Sequence, residues 1–276
     1  MSESTAADAP RRALKELVKR RLLRHFAAAL VGGAPQRRYL LELGFPGTRI
    51  FLGYDAVDNA HFARGTLAAA RAGRPPFFLA SCRFVPQKNL LGLLEAYARY
   101  RRLAGDAAWD LVILGDGALA PELEARRARL GLVASVHLPG FRQYDELPSW
   151  YGRASAFVLP STSEPWGLVV NEAMASGLPV LVSRRCGCAV DLVAEGRNGF
   201  TFDPHDVVGL AILLHRLAHG GLDLAAMGAA SRAIVARWGV ERFAQGLAGA
   251  LAAAAGAPPR RPDAIARGLL AGLVRP

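Results

Sequence analysis

The chain has 276 residues, 52% of them hydrophobic, enough for one large domain or two smaller ones with real cores. Its net charge of +11 and pI near 10.4 point to an anionic partner, but the cations are almost all Arg, with Lys only at 15, 19 and 88. A GC-rich coding sequence produces that bias by itself, and no nucleic-acid-binding module is recognisable, so charge alone does not argue for nucleic acid.

Residues 1–10 lack the charged-then-apolar order of a signal peptide and read as a disordered leader of a cytoplasmic protein. A basic amphipathic helix is expected over 11–26, with Leu14, Leu17, Val18, Leu22 and Phe26 at helical spacing. Arg11, Arg12, Lys15, Lys19, Arg20, Arg21 and Arg24 cover much of the rest against one acid, Glu16. A short strand at 27–31, a helix at 36–43 stopped by Gly44, and a strand at 49–53 follow, and 54–59 reads as a loop.

From Phe77 onward strands and helices alternate, the pattern of a parallel doubly wound sheet. Strands are expected at 77–81, 110–114, 135–138, 156–160, 180–183 and 200–202. Helices are expected at 89–102, 121–130, 145–152, near 190–195, then near 207–217, 222–237 and 240–255. Gly256 to Arg261 reads as a Pro and Arg linker, and 265–274 as a short amphipathic segment. The longest apolar stretches, 247–257 and 207–214, fall short of the ~18–20 residues of a membrane span. Cys82, Cys186 and Cys188 have neither Cys-x-x-Cys nor matched His spacing, which argues against a zinc site or a disulfide framework. Cys186-Gly187-Cys188, in a turn, holds the candidate reactive thiols, with inert loop residues as the other reading.

The most informative segment is Glu164-Pro165-Trp166-Gly167-Leu168-Val169-Val170-Asn171-Glu172, placed after the apolar run 156–160. It is followed by Ala173-Met174-Ala175-Ser176-Gly177-Leu178-Pro179-Val180. Pro165 suits a first helical position, where its missing N–H costs nothing. Gly167 admits close approach of backbone to a ligand, and the N–H groups around Gly167 and Leu168 would form an anion site. On one helix Glu172 would lie about 12 Å beyond Glu164, at ~1.5 Å per residue. Two glutamates at helical spacing can simply mark a solvated face. Here the neighbours are Leu, Val, Ala and Met, which describe such a face poorly.

This segment resembles the signature of retaining glycosyltransferases of the GT-B architecture, family 4: Glu, seven residues, Glu, then small residues ending in Gly-x-Pro-Val. The resemblance runs from about Phe77 to His219. It implies an α/β fold, a Rossmann-like doubly wound parallel sheet forming the C-terminal half of such an enzyme, at 75–238. Residues 11–74 would be a small N-terminal α/β remnant of the acceptor domain with the crossover, and 239–276 a C-terminal helix and tail. The remnant reading rests on Tyr39 to Gly44, Ile50 to Asp55 and Val57 to Asn59, which resemble the end of the family's first domain.

By resemblance Glu164 would meet the donor sugar and Glu172 the ribose, while Arg83 and Lys88 would grip the donor diphosphate. On the residues alone, two cations five apart on a loop opening a helix suit a pyrophosphate, Arg as a planar fork and Lys as a point charge. A surface Arg and Lys beside a Pro turn is the plain alternative. Arg83, Lys88 and Glu164 are thus the catalytic candidates, and Gly167, Leu168, Glu172, Gly115, Phe141 and Arg142 the donor-binding ones. Gly115-Asp116-Gly117 lacks the third Gly of a dinucleotide fingerprint and serves equally as a tight turn. Phe141 is as readily core as base-side wall.

No metal or cofactor is expected, since the sequence contains no Asp-x-Asp clamp; the donor would be a UDP-sugar or a GDP-sugar. The implied activity is retaining transfer from a nucleoside diphosphate sugar to an acceptor. The alternative is a donor-binding subunit, inactive without a separate acceptor-domain chain. The basic helix has three open readings: packing against the remnant, ranked first; contact with an anionic membrane at the inner face of the cytoplasmic membrane; or a partner chain.

Overall fold

The computed structural model describes residues 1–5, 12–68 and 75–258 and the single positions 264, 267 and 268, with side chains 66–68 left out. Arg11, residues 6–10 of the expected leader and nearly all of the segment 265–274 lie outside the described residues.

In chain order the elements begin α1 (Ala13–Leu23), β1 (Ala29–Val31), α2 (Ala34–Glu42), β2 (Ile50–Leu52), α3 (Asn59–Ala68), β3 (Phe77–Ser81) and α4 (Leu90–Ala104). There follow β4 (Asp110–Leu114), α5 (Ala120–Arg129), β5 (Val136–Gly140), α6 (Leu147–Arg153), β6 (Ala156–Leu159) and α7 (Leu168–Ala175). The chain continues through β7 (Val180–Ser183), α8 (Ala189–Leu192), β8 (Gly199–Phe202), α9 (Val207–His219), α10 (Leu224–Val235) and α11 (Val240–Ala255). Two units result, Val57–Gly239 and Met1–Ala56 with Val240–Pro276.

The larger unit is a six-stranded sheet, β5-β4-β3-β6-β7-β8, with every neighbouring pair parallel. Its four inner strands, β4, β3, β6 and β7, alternate between two buried faces, as the two-residue side-chain period requires. Phe78, Leu111, Ile113, Val158 and Leu181 join the core on one face, with Leu93 and Tyr97 of α4 and Leu210 and Leu214 of α9. Leu79, Val112, Leu114, Phe157, Leu159, Val180 and Val182 join the other, with Tyr151 of α6 and Val170 and Met174 of α7.

The unit boundary falls at Ala56/Val57 and not near residue 74. The physical reason is α3, absent from the sequence reading, which packs along α6 and α7. Phe62 of α3 is fully buried, and the Asp58 carboxylate caps its first turn by accepting the His61 N–H at 2.9 Å. Other limits move by local geometry. α4 begins at Leu90 because Asn89 turns the chain with φ +51°. α10 begins one residue past Asp223, whose carboxylate accepts the Ala226 N–H at 2.9 Å.

In the smaller unit β1 and β2 pair in parallel, with α11 packed against both strands, over a core of Val31, Leu40, Phe45 and Ile50. Ser2, expected in a disordered leader, bridges Val31 and donates its N–H to the Leu30 carbonyl at 3.0 Å. α1 buries none of its residues, and Leu14 and Leu17 are 73% and 63% exposed. Packing accounts for only part of this stripe among the described residues: Val18 and Leu22 are half-buried and Leu23 packs against the core, while Leu14 and Leu17 face outward. Among those residues no single helix is long and apolar enough to cross a membrane.

Candidate active site

β3 and β6 lie side by side at the centre of the sheet, while the strands that follow them, β4 and β7, lie on opposite sides. The connections diverge there, and ligands of such sheets bind in the crevice beyond the carboxyl ends of those strands. The loop after β3 carries Cys82, Arg83 and Lys88; the loop after β6 carries Glu164 and Gly167. The two loops are tied together: the Thr162 N–H donates to the Gln87 carbonyl at 2.8 Å. Lys88 Nζ donates to Glu164 Oε2, a pair whose side chains are 15% and 14% exposed. The Ser161 hydroxyl lies 3.5 Å from the same oxygen. The two charges compensate one another where solvent is scarce, which lowers the cost of holding either there.

Glu164 is not on a helix. Its backbone bridges Cys186, and its carbonyl accepts the Gly187 N–H at 2.9 Å. Pro165 is likewise outside the helix: α7 opens at Leu168 behind Gly167, which has φ +104°. The reason is steric and conformational. The chain must bridge the loop after β7 and then reverse into α7, and only a left-handed residue makes that turn cheaply. A Cβ at Gly167 would also lie 3.0 Å from the Leu159 side chain.

Glu172, in the body of α7, lines the crevice from its wall. The Tyr151 hydroxyl donates to Glu172 Oε2 at 2.7 Å. Burial raises the Glu172 pKa above the ordinary carboxylate value, offset in part by that hydrogen bond and by nearby His61. Tyr151 is fully buried, and its own ionisation is pushed far up by burial and by the Glu172 charge. The sequence reading missed Tyr151. Its one available signal was a tyrosine ending a short helix before an apolar strand, where a buried hydroxyl needs a partner.

The crevice has a volume near 600 Å³, and Arg83, Lys88, Gly115, Phe141, Arg142 and Glu172 all line it. Glu164 reaches it through Lys88, whereas Gly167 and Leu168 are not among its lining residues. Arg83 is exposed, and Phe141, 63% exposed, lies at the crevice and outside the core. The Arg142 guanidinium lies 5.5 Å over the Trp150 ring and donates to the Pro139 carbonyl at 2.8 Å, while its Nε is buried without a partner among the described residues. Gly115, at φ +130°, is explained by protein packing: a Cβ there would strike the Cys82 carbonyl oxygen. Cys186 and Cys188 are buried and their thiols are pushed up by burial, so the reactive-thiol reading fails. The Cys82 thiol, beside the crevice, is pushed up to about 12, again by burial.

Sheet order and crevice together define a doubly wound α/β domain with cations and carboxylates at its switch point. The chain belongs to the glycosyltransferase family described as Glycosyl transferases group 1, whose model matches residues 68–233. It is 36% identical over 188 residues to the D-inositol 3-phosphate glycosyltransferase of Streptomyces avermitilis, covering 63% of this chain and 40% of that one. It is 31% identical over 189 residues to the GDP-mannose-dependent alpha-(1-6)-phosphatidylinositol monomannoside mannosyltransferase of Mycolicibacterium smegmatis, covering 64% and 49%. The chain thus spans less than half the length of these curated relatives. Among solved structures it resembles Anabaena Alr3699/HepE in complex with UDP and glucose, at a TM-score of 0.66 and 23% identity, over 82% of this chain and 63% of that one. It also resembles a mutant of S. aureus TarM in complex with Fondaparinux, alpha-GlcNAc-glycerol and UDP, at 0.70 and 19%, over 87% and 46%.

Proposed function

We propose that this chain carries the donor site of a retaining family 4 glycosyltransferase that moves a sugar from a UDP-sugar or GDP-sugar to an acceptor. The observation that carries the reading is the Lys88–Glu164 pair at the switch point, in reach of a crevice that Arg83 and Glu172 also line. As the bond from sugar to phosphate breaks, negative charge grows on the leaving diphosphate. Cations held at Arg83 and Lys88 stabilise that charge more than the ground state, in the role a metal ion has elsewhere. The leaving phosphate takes the acceptor's proton, Glu164 holds the donor sugar and Glu172 the ribose. Gly115, Phe141 and Arg142 border the nucleoside, while Gly167 and Leu168 lie behind the crevice lining and would meet the phosphates only across the Glu164 loop. Thermal-shift measurements with UDP, GDP and ADP test the reading. A bound diphosphate at a hundredfold excess over its dissociation constant stabilises the fold by ~2.7 kcal/mol. No shift with any of the three at millimolar concentration sinks it.

The alternative, a donor-binding subunit that works with a separate acceptor-domain chain, draws on the two-stranded sheet found among the described residues of the smaller unit. Turnover by the isolated chain, with the product anomer read by NMR, argues against that alternative and for retention. For the acceptor side, the exposed Leu14 and Leu17 flanked by Arg12, Lys15, Lys19 and Arg20 fit an anionic membrane surface at the cytoplasmic face. Co-sedimentation with anionic but not neutral vesicles, reversed by salt, is the expected result. No pelleting at low salt removes the membrane partner.

A further inference from the structure

We infer that Tyr151 is a positioning residue for nucleotide binding, its hydroxyl holding one oxygen of Glu172 so that the other is presented to the ribose hydroxyls. The inference rests on the donor-site reading above. Tyr151 is fully buried behind the crevice wall and does not line it, so it acts through the carboxylate. Its ring is fixed edge-on against Phe62 of α3, with centroids 5.6 Å apart, and tilted against Phe157 of β6 at 5.8 Å. A hydroxyl on so constrained a ring has little freedom of position, and it donates to Glu172 Oε2 at 2.7 Å. A carboxylate has two oxygens with about four acceptor sites, so one oxygen can be engaged by the protein while the other takes a ligand donor. Two further polar side chains stand close: Ser81 lies at the Tyr151 hydroxyl and lines the same crevice, and His61 is near the carboxylate but engaged elsewhere. The ring of His61, on α3, stacks on Tyr144 at 4.0 Å, and its Nε2 and Nδ1 lie 3.1 Å from the Tyr144 carbonyl and 3.3 Å from Arg64. Without the Tyr151 hydroxyl, the buried carboxylate would turn toward the crevice with both oxygens and lose its fixed orientation.

The test is calorimetric titration of the whole chain with UDP, GDP and inorganic pyrophosphate. Tyr151→Phe keeps the ring contacts and should weaken the better-binding nucleotide roughly tenfold, the worth of one hydrogen bond to a charged group. Pyrophosphate, which has no ribose, should bind within about twofold of the parent, and Glu172→Gln added to Tyr151→Phe should cost little more, because the two act as one unit. Nucleotide affinity unchanged in Tyr151→Phe while Glu172→Gln weakens it overturns the inference and leaves the donor site standing. Equal losses for nucleotide and pyrophosphate overturn it too, since the effect then does not run through the ribose. Neither nucleotide binding to the parent chain defeats the donor-site reading and this inference with it. Should Tyr151→Phe not fold, Glu172→Asp draws the carboxylate back from the hydroxyl and should lose as much affinity as Glu172→Gln; full affinity in Glu172→Asp overturns the inference.

Discussion

Glu164 and Glu172 are eight positions apart and chemically identical, yet they are held in opposite ways. Glu164 sits on a loop bridged to Cys186 and is balanced by a full positive charge, Lys88, from another loop. Glu172 sits in a packed helix and is balanced by a neutral hydroxyl, Tyr151, with burial working against its ionisation. The first arrangement suits a site where charge is exchanged with a ligand. On the proposed donor-site reading, a diphosphate entering the crevice would compete with Glu164 for Lys88. The second suits recognition of neutral hydroxyl groups by a carboxylate whose position is already set.

The contrast is broken most severely at Lys88. Lys88→Ala leaves Glu164 without its cation and the proposed diphosphate without a point charge, so titration should show nucleoside diphosphate affinity falling about a hundredfold. An affinity within threefold of the parent would mean that the pair is only a link between loops.

Gly167→Ala attacks the turn that separates the two glutamates. A side chain at φ +104° costs roughly 1–2 kcal/mol, so differential scanning should show a lower melting temperature with a clear loss of stability. An unchanged melting temperature would mean that the turn relaxes freely and that the separate holding of Glu164 does not depend on it.

Glu172→Gln sharpens the comparison through pH. Burial raises the folded-state pKa of Glu172, so the folded state favours the protonated form. The ionised carboxylate therefore lowers stability as pH rises above the ordinary carboxylate value, and the loss is complete once pH passes the raised value. The ligand-free variant should melt higher than the parent at neutral pH, by about 2–4 °C per kcal/mol relieved, with the difference closing under acid. Its nucleotide affinity should fall roughly tenfold. A lower melting temperature at neutral pH would show the carboxylate to be compensated as fully as Glu164.

The smallest effect concerns the loop that bridges Glu164. Cys186 and Cys188 should resist a thiol reagent at pH 8 in the native chain and react once it is unfolded, because burial keeps both protonated. Fast native labelling would reveal that the loop holding Glu164 opens readily.

Much of the larger unit was legible in the sequence because its signals are local. The strands Phe77–Ser81, Asp110–Leu114 and Val180–Ser183 stand where apolar runs between turn residues placed them. The spacing of Glu164, Gly167 and Glu172 marked one segment and Arg83 and Lys88 one loop, and the fold brings that segment and that loop together. Other features were not local. α3 escaped because its strongest buried anchor, Phe62, acquires meaning only against α6 and α7. The start of α7 was misplaced because Pro165 looks like a helix opener until the bridge from Glu164 to Cys186 claims that stretch. Lys88 and Glu164 are 76 residues apart, and they meet because β3 and β6 are neighbours at the point where the strand order reverses. Sequence by itself determined which residues are apolar, which can turn and which carry charge. Tertiary structure alone decided which charge faces which, because that choice is set by the order of strands in the sheet and not by any spacing along the chain.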